Sequence, residues 1–337
     1  MRLSPSRLLG ACLATALLAG CGSSTPEPAA DESSAASDGV FPVTVEHAFG
    51  STTVESEPQR VVSVGVTEQD TLLALGVVPV GVTEWYGEQP YATWPWAQDE
   101  LGDAEPTVLS TDDGFQYEAI AALEPDLIVA TNAGLDQESY DTLSAIAPVV
   151  AHSEQEYFEP WDTQTLAIGT ALGKADEAQE LVDDIKQQFA DAAAEHPQFA
   201  GTSAVFLQNA VYEGDLIAYQ EGLSTDFLTD LGFTIPASLD QFATEGQAYI
   251  PLEQASVLNE ADVLVWGTEE PADRTALEAL EVYRSLTPVQ QGHLAFTDGT
   301  LAGAIYFTSP LSLPYVLDEL VPALATAVAG DPSTIPA

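Results

Sequence analysis

Lys174 to His196 run twenty-three residues without glycine or proline. Ala178, Leu181, Val182, Ile185 and Phe189 recur there at helical spacing, and Pro197 stops the run. At 1.5 Å per residue the helix measures ~34 Å, about the width of a small domain. Such a helix between two halves of a chain acts as a stiff strut. It constrains the fold more than any other segment.

The halves on either side share one plan. In the first, Phe41–Phe49 and Ser51–Val54 flank Gly50 and read as a hairpin. Arg60–Gly65 is a short apolar strand, and a helix follows from Thr67 to Leu75, stopped by Gly76. Val77–Val82 is a strand, Tyr117–Leu123 a helix and Asp126–Ala130 a strand. In the second half Ser203–Leu207 and Asp262–Trp266 read as strands, and Ser224–Leu231 and Pro251–Leu258 as helices. Glu118 precedes the apolar strand at Asp126 much as Glu253 precedes the one at Asp262. Alternating strands and helices predict an α/β fold of two similar lobes with mostly parallel sheets. The expected boundaries are 40–173, 174–196 for the joining helix, and 197–330.

The N-terminus carries an address. Arg2 and Arg7 precede an apolar run from Leu8 to Gly20, too short to span a bilayer as a helix of ~20 residues. Leu18-Ala19-Gly20-Cys21 has the form of a bacterial lipobox, with Cys21 as the lipidated residue. Residues 1–20 are then a signal peptide. Residues 21–39 hold no large apolar group and read as a disordered tether. Its eighteen residues after Cys21 reach about 20–25 Å, so the folded part stays near the membrane on the extracytoplasmic face.

The charge excludes partners. Against 53 acidic residues stand 7 basic ones, for a formal net charge of −46. Nucleic acid needs a basic face, and anionic lipid repels such a surface. The two cysteines, Cys12 and Cys21, provide neither a disulfide framework nor a zinc site. The four histidines, 47, 152, 196 and 293, do not converge on a metal site, and no Gly-x-Ser-x-Gly marks a hydrolase. The chain reads as a non-enzyme without a resident cofactor.

Pro58-Gln-Arg60-Val-Val-Ser63, Leu75-Gly-Val-Val-Pro79-Val-Gly81-Val and Ala122-Leu-Glu-Pro125-Asp126-Leu-Ile resemble the substrate-binding proteins of ABC importers for iron–siderophores and cobalamin. The stretches at Trp85-Tyr-Gly, Tyr91–Ala97, Ile146-Ala-Pro148, Ile168–Gly173 and Pro310–Pro314 resemble the actinobacterial iron–siderophore branch. The resemblance covers roughly residues 40 to 328. It implies the class III periplasmic-binding-protein fold, two Rossmann-like lobes joined by one long helix. It also implies a monomeric, lipid-anchored receptor that hands a ferric siderophore to an ABC permease. Cobalamin and haem are the alternative ligands, and a secreted hydrolase is a distant third reading. By the same resemblance Glu118 and Glu253 match the two permease-docking glutamates.

In open α/β sheets ligands bind beyond the carboxyl ends of strands. Aromatic walls there suit a bulky, partly apolar chelate. The candidates are Trp85, Tyr86, Trp94 and Trp96 from the first half, and Tyr212, Tyr219, Trp266 and Tyr306 from the second. Arg274, expected in a loop after the Trp266 strand, is the best basic ligand contact. So few cations favour a hydroxamate-type complex over a trianionic tris-catecholate.

Overall fold

The computed structural model describes residues 40–111, 114–153, 159–244 and 246–336. The signal segment 1–20, Cys21 and the tether 21–39 lie outside the described residues.

Strands β1 (Val43–His47) and β2 (Gly50–Val54) form an antiparallel hairpin. The Thr52 hydroxyl ties it to the first large sheet by donating to the Val149 carbonyl at 2.7 Å. That sheet contains β3 (Val61–Ser63), β4 (Gly81–Thr83), β5 (Thr107–Leu109), β6 (Leu127–Ala130) and β7 (Val149–Ala151). Its order is β5-β4-β3-β6-β7, and every pairing is parallel. Leu127 and Val129 enter the core on one face, Ile128 and Ala130 the core on the other. Burial on both faces is why these strands read as unbroken apolar runs. Helices α1 (Glu68–Ala74), α2 (Tyr117–Ala122) and α3 (Trp161–Ala171) accompany this sheet. The chain moves outward from β3 to β5, then returns to the other side of β3, so the topological switch point lies between β3 and β6.

The strut is α4 (Ala175–Glu195), with Ala178, Val182, Ile185 and Phe189 buried on one stripe. It crosses α3 closely, because a Cβ on Gly169 would stand 2.2 Å from the Ala178 Cβ. In an exposed helix Gly→Ala gains up to ~1 kcal/mol. Here the clash decides the sign, and Gly169→Ala is expected to cost about 1–3 kcal/mol by overpacking. Urea titration should show a lower midpoint with an unchanged slope.

The second sheet runs β10-β11-β9-β8-β12-β13. Its members are β8 (Ala204–Tyr212), β9 (Asp215–Tyr219), β10 (Ala243–Thr244), β11 (Gln247–Pro251), β12 (Val263–Gly267) and β13 (Leu294–Phe296). Strands β8, β12 and β13 pair in parallel, whereas β8, β9, β11 and β10 pair antiparallel. The expectation of a mostly parallel sheet therefore fails for this half. Only Glu213 and Gly214 separate β8 from β9, at φ 52° and 100°. Two residues of positive φ make a tight hairpin and leave no room for a crossover.

Helices α5 (Asp226–Thr229), α6 (Pro271–Ala279), α7 (Glu281–Ser285), α8 (Gly299–Tyr306) and α9 (Ser312–Ala329) complete the second lobe. The helix expected over 224–231 shortens to α5. Thr225 bonds the Gln220 and Gly222 carbonyls through its hydroxyl and so holds the preceding residues in a turn. The helix expected at 251–258 is a 3₁₀ helix, Leu252–Glu260.

Candidate functional site

At the switch point the first lobe is sealed by a carboxylate. Glu68, fully buried at the start of α1, accepts from the Gly65 amide at 2.9 Å, the Asn132 amide at 2.7 Å and the Ser63 hydroxyl at 3.0 Å. It thereby ties the β3 loop to the β6 loop. Burial, opposed by these donors, pushes its pKa up to about 7. Gly65 is required here, since a Cβ would lie 2.4 Å from Glu68 Oε1 and 2.6 Å from the Asn132 carbonyl carbon.

Above this seal the ends of β4 and the following loop build an aromatic seam. Trp94 stacks between Tyr86 at 5.6 Å and Trp96 at 4.9 Å, and Trp85 lies 5.8 Å from Trp94. The second lobe meets these rings directly. Phe307 packs edge-on to Trp85 at 4.7 Å, Tyr306 faces Tyr86 at 6.4 Å, and Tyr315 lies 5.9 Å from Trp96. Gly303 of α8 lets Trp94 approach, because a Cβ there would stand 2.4 Å from the indole Cη2. Two polar bridges cross the seam. The Tyr86 hydroxyl hydrogen-bonds the Glu269 carboxylate, and burial followed by that bond raises the phenol's pKa. The buried Asp70 carboxylate accepts from Trp96 Nε1 at 2.8 Å and from the Ser309 hydroxyl at 2.6 Å.

The expected wall residues divide accordingly. Trp85, Tyr86 and Trp96 are partly exposed along the seam, whereas Trp94 is buried at 3 % exposure and serves as its packing centre. Tyr306 borders Tyr86 and donates its hydroxyl to the Gly267 carbonyl at 3.0 Å. Tyr219 is nearly buried, stacked on Phe206, with its hydroxyl accepting from Gln208 Nε2 at 2.9 Å. Tyr212 lies at the end of β8, past the last pairing of β8 with β12, and is 58 % exposed.

Two candidates are misplaced by the sequence reading. Trp266 is fully buried and packs on Tyr283 of α7 at 5.5 Å, so it offers no surface to a ligand. Side chains alternate along a strand, and it is Gly267 that faces Tyr306. Arg274 lies on α6 rather than in a loop. Its Nε donates to Glu278 Oε1 at 2.8 Å and its guanidinium sits 4.5 Å from the Phe296 ring centre.

Asp70, Phe307 and Ser309 belong to the seam and were not singled out from the sequence; Glu269 joins them from the strand end that begins at Trp266. Glu118 and Glu253 are both exposed, in the first turns of α2 and of the Leu252–Glu260 helix. Among the described residues no group of three or more His, Cys, Asp or Glu side chains is arranged to hold a metal ion.

Comparison with known proteins agrees with this architecture. The Fe(3+) dicitrate-binding periplasmic protein FecB of Escherichia coli (strain K12) is 30% identical over 268 residues, which cover 77% of this chain and 83% of FecB. A periplasmic solute binding protein from Mycobacterium smegmatis superposes with a TM-score of 0.80 at 49% identity, covering 85% of this chain and 98% of that one. Streptococcus pneumoniae PiaA in complex with ferrichrome superposes with a TM-score of 0.73 at 28% identity, covering 85% and 99%. The model of the periplasmic binding protein family matches residues 61–301. Two lobes, one long joining helix and a seam at the strand ends are thus the frame of a solute carrier rather than an enzyme, and the chain belongs to the periplasmic binding protein family.

Proposed function

We propose that this protein is the extracytoplasmic receptor of an ABC importer and carries a ferric siderophore of the hydroxamate type between its lobes. The reading rests on one observation above all: aromatic side chains from both lobes meet at the strand ends with no basic side chain among them. Each of the five basic residues described lies elsewhere. Arg60 donates to the Leu123 and Glu124 carbonyls, Lys186 pairs with Asp162, and Arg274 pairs with Glu278. Lys174 occupies the position before α4 without a side-chain cap, and Arg284 lies in the last turn of α7. A trianionic chelate would find no counter-charge there. A neutral or cationic hydroxamate complex needs none, and apolar rings cover its skirt. The relatives that bind Fe(3+) dicitrate and ferrichrome support an iron chelate as cargo.

In this reading Trp85, Tyr86, Trp96, Tyr219 and Tyr306 line the cargo site, Tyr212 overhangs it, and Trp94 holds the wall in place. Cys21 carries the lipid anchor, the protein works as a monomer, and Glu118 and Glu253 meet the permease. Coloured ferric hydroxamates are expected to quench tryptophan emission at micromolar concentrations or below, and to bind more tightly than tris-catecholates. Unchanged emission with every ferric chelate, together with quenching by cobalamin, would overturn the iron assignment. The reverse order of hydroxamate and catecholate would overturn the charge argument.

A further inference from the structure

Glu269 stands where the second lobe reaches the seam. Before it, Gly267 ends β12, and its carbonyl accepts from the Tyr306 hydroxyl at 3.0 Å. Thr268 is buried, and its hydroxyl donates to the Thr297 carbonyl. The Glu269 amide then donates to Asp273 Oδ2 at 2.8 Å, and its carbonyl packs on Gly299 of α8, where a Cβ would stand 3.2 Å away. The backbone is thus fixed on both sides while the side chain stays partly exposed. Its carboxylate faces the Tyr86 hydroxyl of the first lobe and lies close enough to Tyr306 to act on that phenol too. The two rings meet across the seam at 6.4 Å.

The neighbouring charges differ from Glu269 in how they are held. Asp70 is buried and engaged by Trp96 and Ser309. Asp273 accepts from the Glu269 and Glu270 amides. Glu84, at the end of β4, keeps Oε1 buried. Arg274 follows Asp273 but is turned to Glu278 and the Phe296 ring. Neither ion pair among the described residues includes Glu269. Its negative charge therefore stands un-neutralised on the cargo wall, between two of the tyrosines that line it.

We propose that Glu269 sets the charge selectivity of the cargo site, repelling anionic chelates at short range and admitting neutral or cationic ones. The inference rests on the ferric-siderophore reading and deepens it. A wall without basic side chains merely leaves an anion without counter-charge. A carboxylate between the two tyrosines acts against it, and specificity is commonly built from such repulsive elements. The net negative charge of the whole chain also opposes anions, but exposed charges more than about 8–10 Å away are largely screened at physiological salt. A charge set into a partly buried aromatic wall is screened less.

The test measures the affinity of two probes by tryptophan quenching, a neutral ferric trihydroxamate and a trianionic ferric tris-catecholate, and reads the ratio between them. Glu269→Gln removes the charge and keeps an oxygen for the Tyr86 hydroxyl. It is expected to narrow the preference for the hydroxamate by about tenfold or more. Glu269→Lys should narrow it further or invert it. Glu195→Gln removes the same charge from the exposed end of α4, and should leave the ratio at its wild-type value. Tyr86→Phe removes the hydroxyl but not the carboxylate, so it should weaken both probes and keep the preference. An unchanged ratio in either Glu269 variant would overturn the proposal. So would an equal narrowing in Glu195→Gln, which would assign selectivity to overall charge, or loss of the preference in Tyr86→Phe, which would assign it to the hydroxyl. Two different substitutions at a partly exposed position keep the test decisive where one of them folds poorly. Binding of neither probe to the wild type would instead overturn the ferric-siderophore reading itself.

Discussion

The double variant Glu118→Ala, Glu253→Ala is expected to bind its ferric chelate with wild-type affinity and to lose nearly all uptake. Both carboxylates are exposed, and neither is among the residues that form the aromatic seam. Each sits in the first turn of a helix, where a negative charge contributes only about 0.3–1 kcal/mol to the fold. The melting temperature should therefore change little. A closely paired interfacial charge costs about 2–5 kcal/mol when one partner is cut. Two such losses lower productive docking by at least about a hundredfold, since 1.4 kcal/mol is a factor of ten. Each single variant should fall between wild type and the double. The internal correspondence of the two sites supports this role, because a pseudo-twofold receptor meets a twofold permease through matched patches. Iron uptake in cells, with chelate affinity measured on the purified variant, separates docking from binding. Uptake at the wild-type rate in the double variant would remove both residues from the mechanism.

The sequence discloses those parts of the fold that local pattern determines. Strands β3 and β6 are legible because they are buried on both faces and read as continuous apolar runs, whereas β5, with Thr107 and Val108 exposed, and the three-residue β7 are not read as strands from the sequence. The strut is legible because Ala178, Val182, Ile185 and Phe189 repeat at helical spacing without a breaker. The antiparallel half of the second sheet is harder. Its decisive signal is the pair Glu213-Gly214, two residues in the left-handed region between β8 and β9. The helix carrying Arg274 had a readable start, Glu270-Pro271-Ala-Asp273, with proline at its first position and a reciprocal cap. Trp266 shows a different limit. Strand-end position pointed it at the cleft, but one residue of parity turned it into the core, and parity is fixed only by the neighbouring α7. The seam's polar bridges had no local signal at all. Asp70 and Ser309 are 239 residues apart in the chain, and no spacing rule relates them.

Asp70→Asn is expected to change the stability of the protein in a pH-dependent way, because this buried carboxyl joins the two lobes. Burial is the main cause that pushes its pKa from 3.8 up to about 6, with Trp96 and Ser309 opposing it and the nearby Glu100 adding to it. The folded state thus holds a proton that the unfolded chain releases above pH 3.8. The stabilisation from that proton is complete below pH ~4 and is lost as pH rises through about 6. At 1.36 kcal/mol per unit the swing is on the order of 3 kcal/mol. Asparagine does not titrate, keeps an oxygen for the Trp96 N–H, and resembles the protonated acid. Relative to wild type, Asp70→Asn should therefore gain stability between pH 4 and pH 7.5. Other groups leave this difference intact. Glu68, raised to about 7, adds a slope of the same sign to both proteins. His47 and His152, lowered chiefly by burial, add one of opposite sign to both as pH falls. Urea denaturation of the pair at the two pH values isolates the Asp70 contribution. A difference that stays constant across that range would mean that Asp70 is ionised in the folded seam at every pH, with Trp96 and Ser309 stabilising its charge as fully as water does.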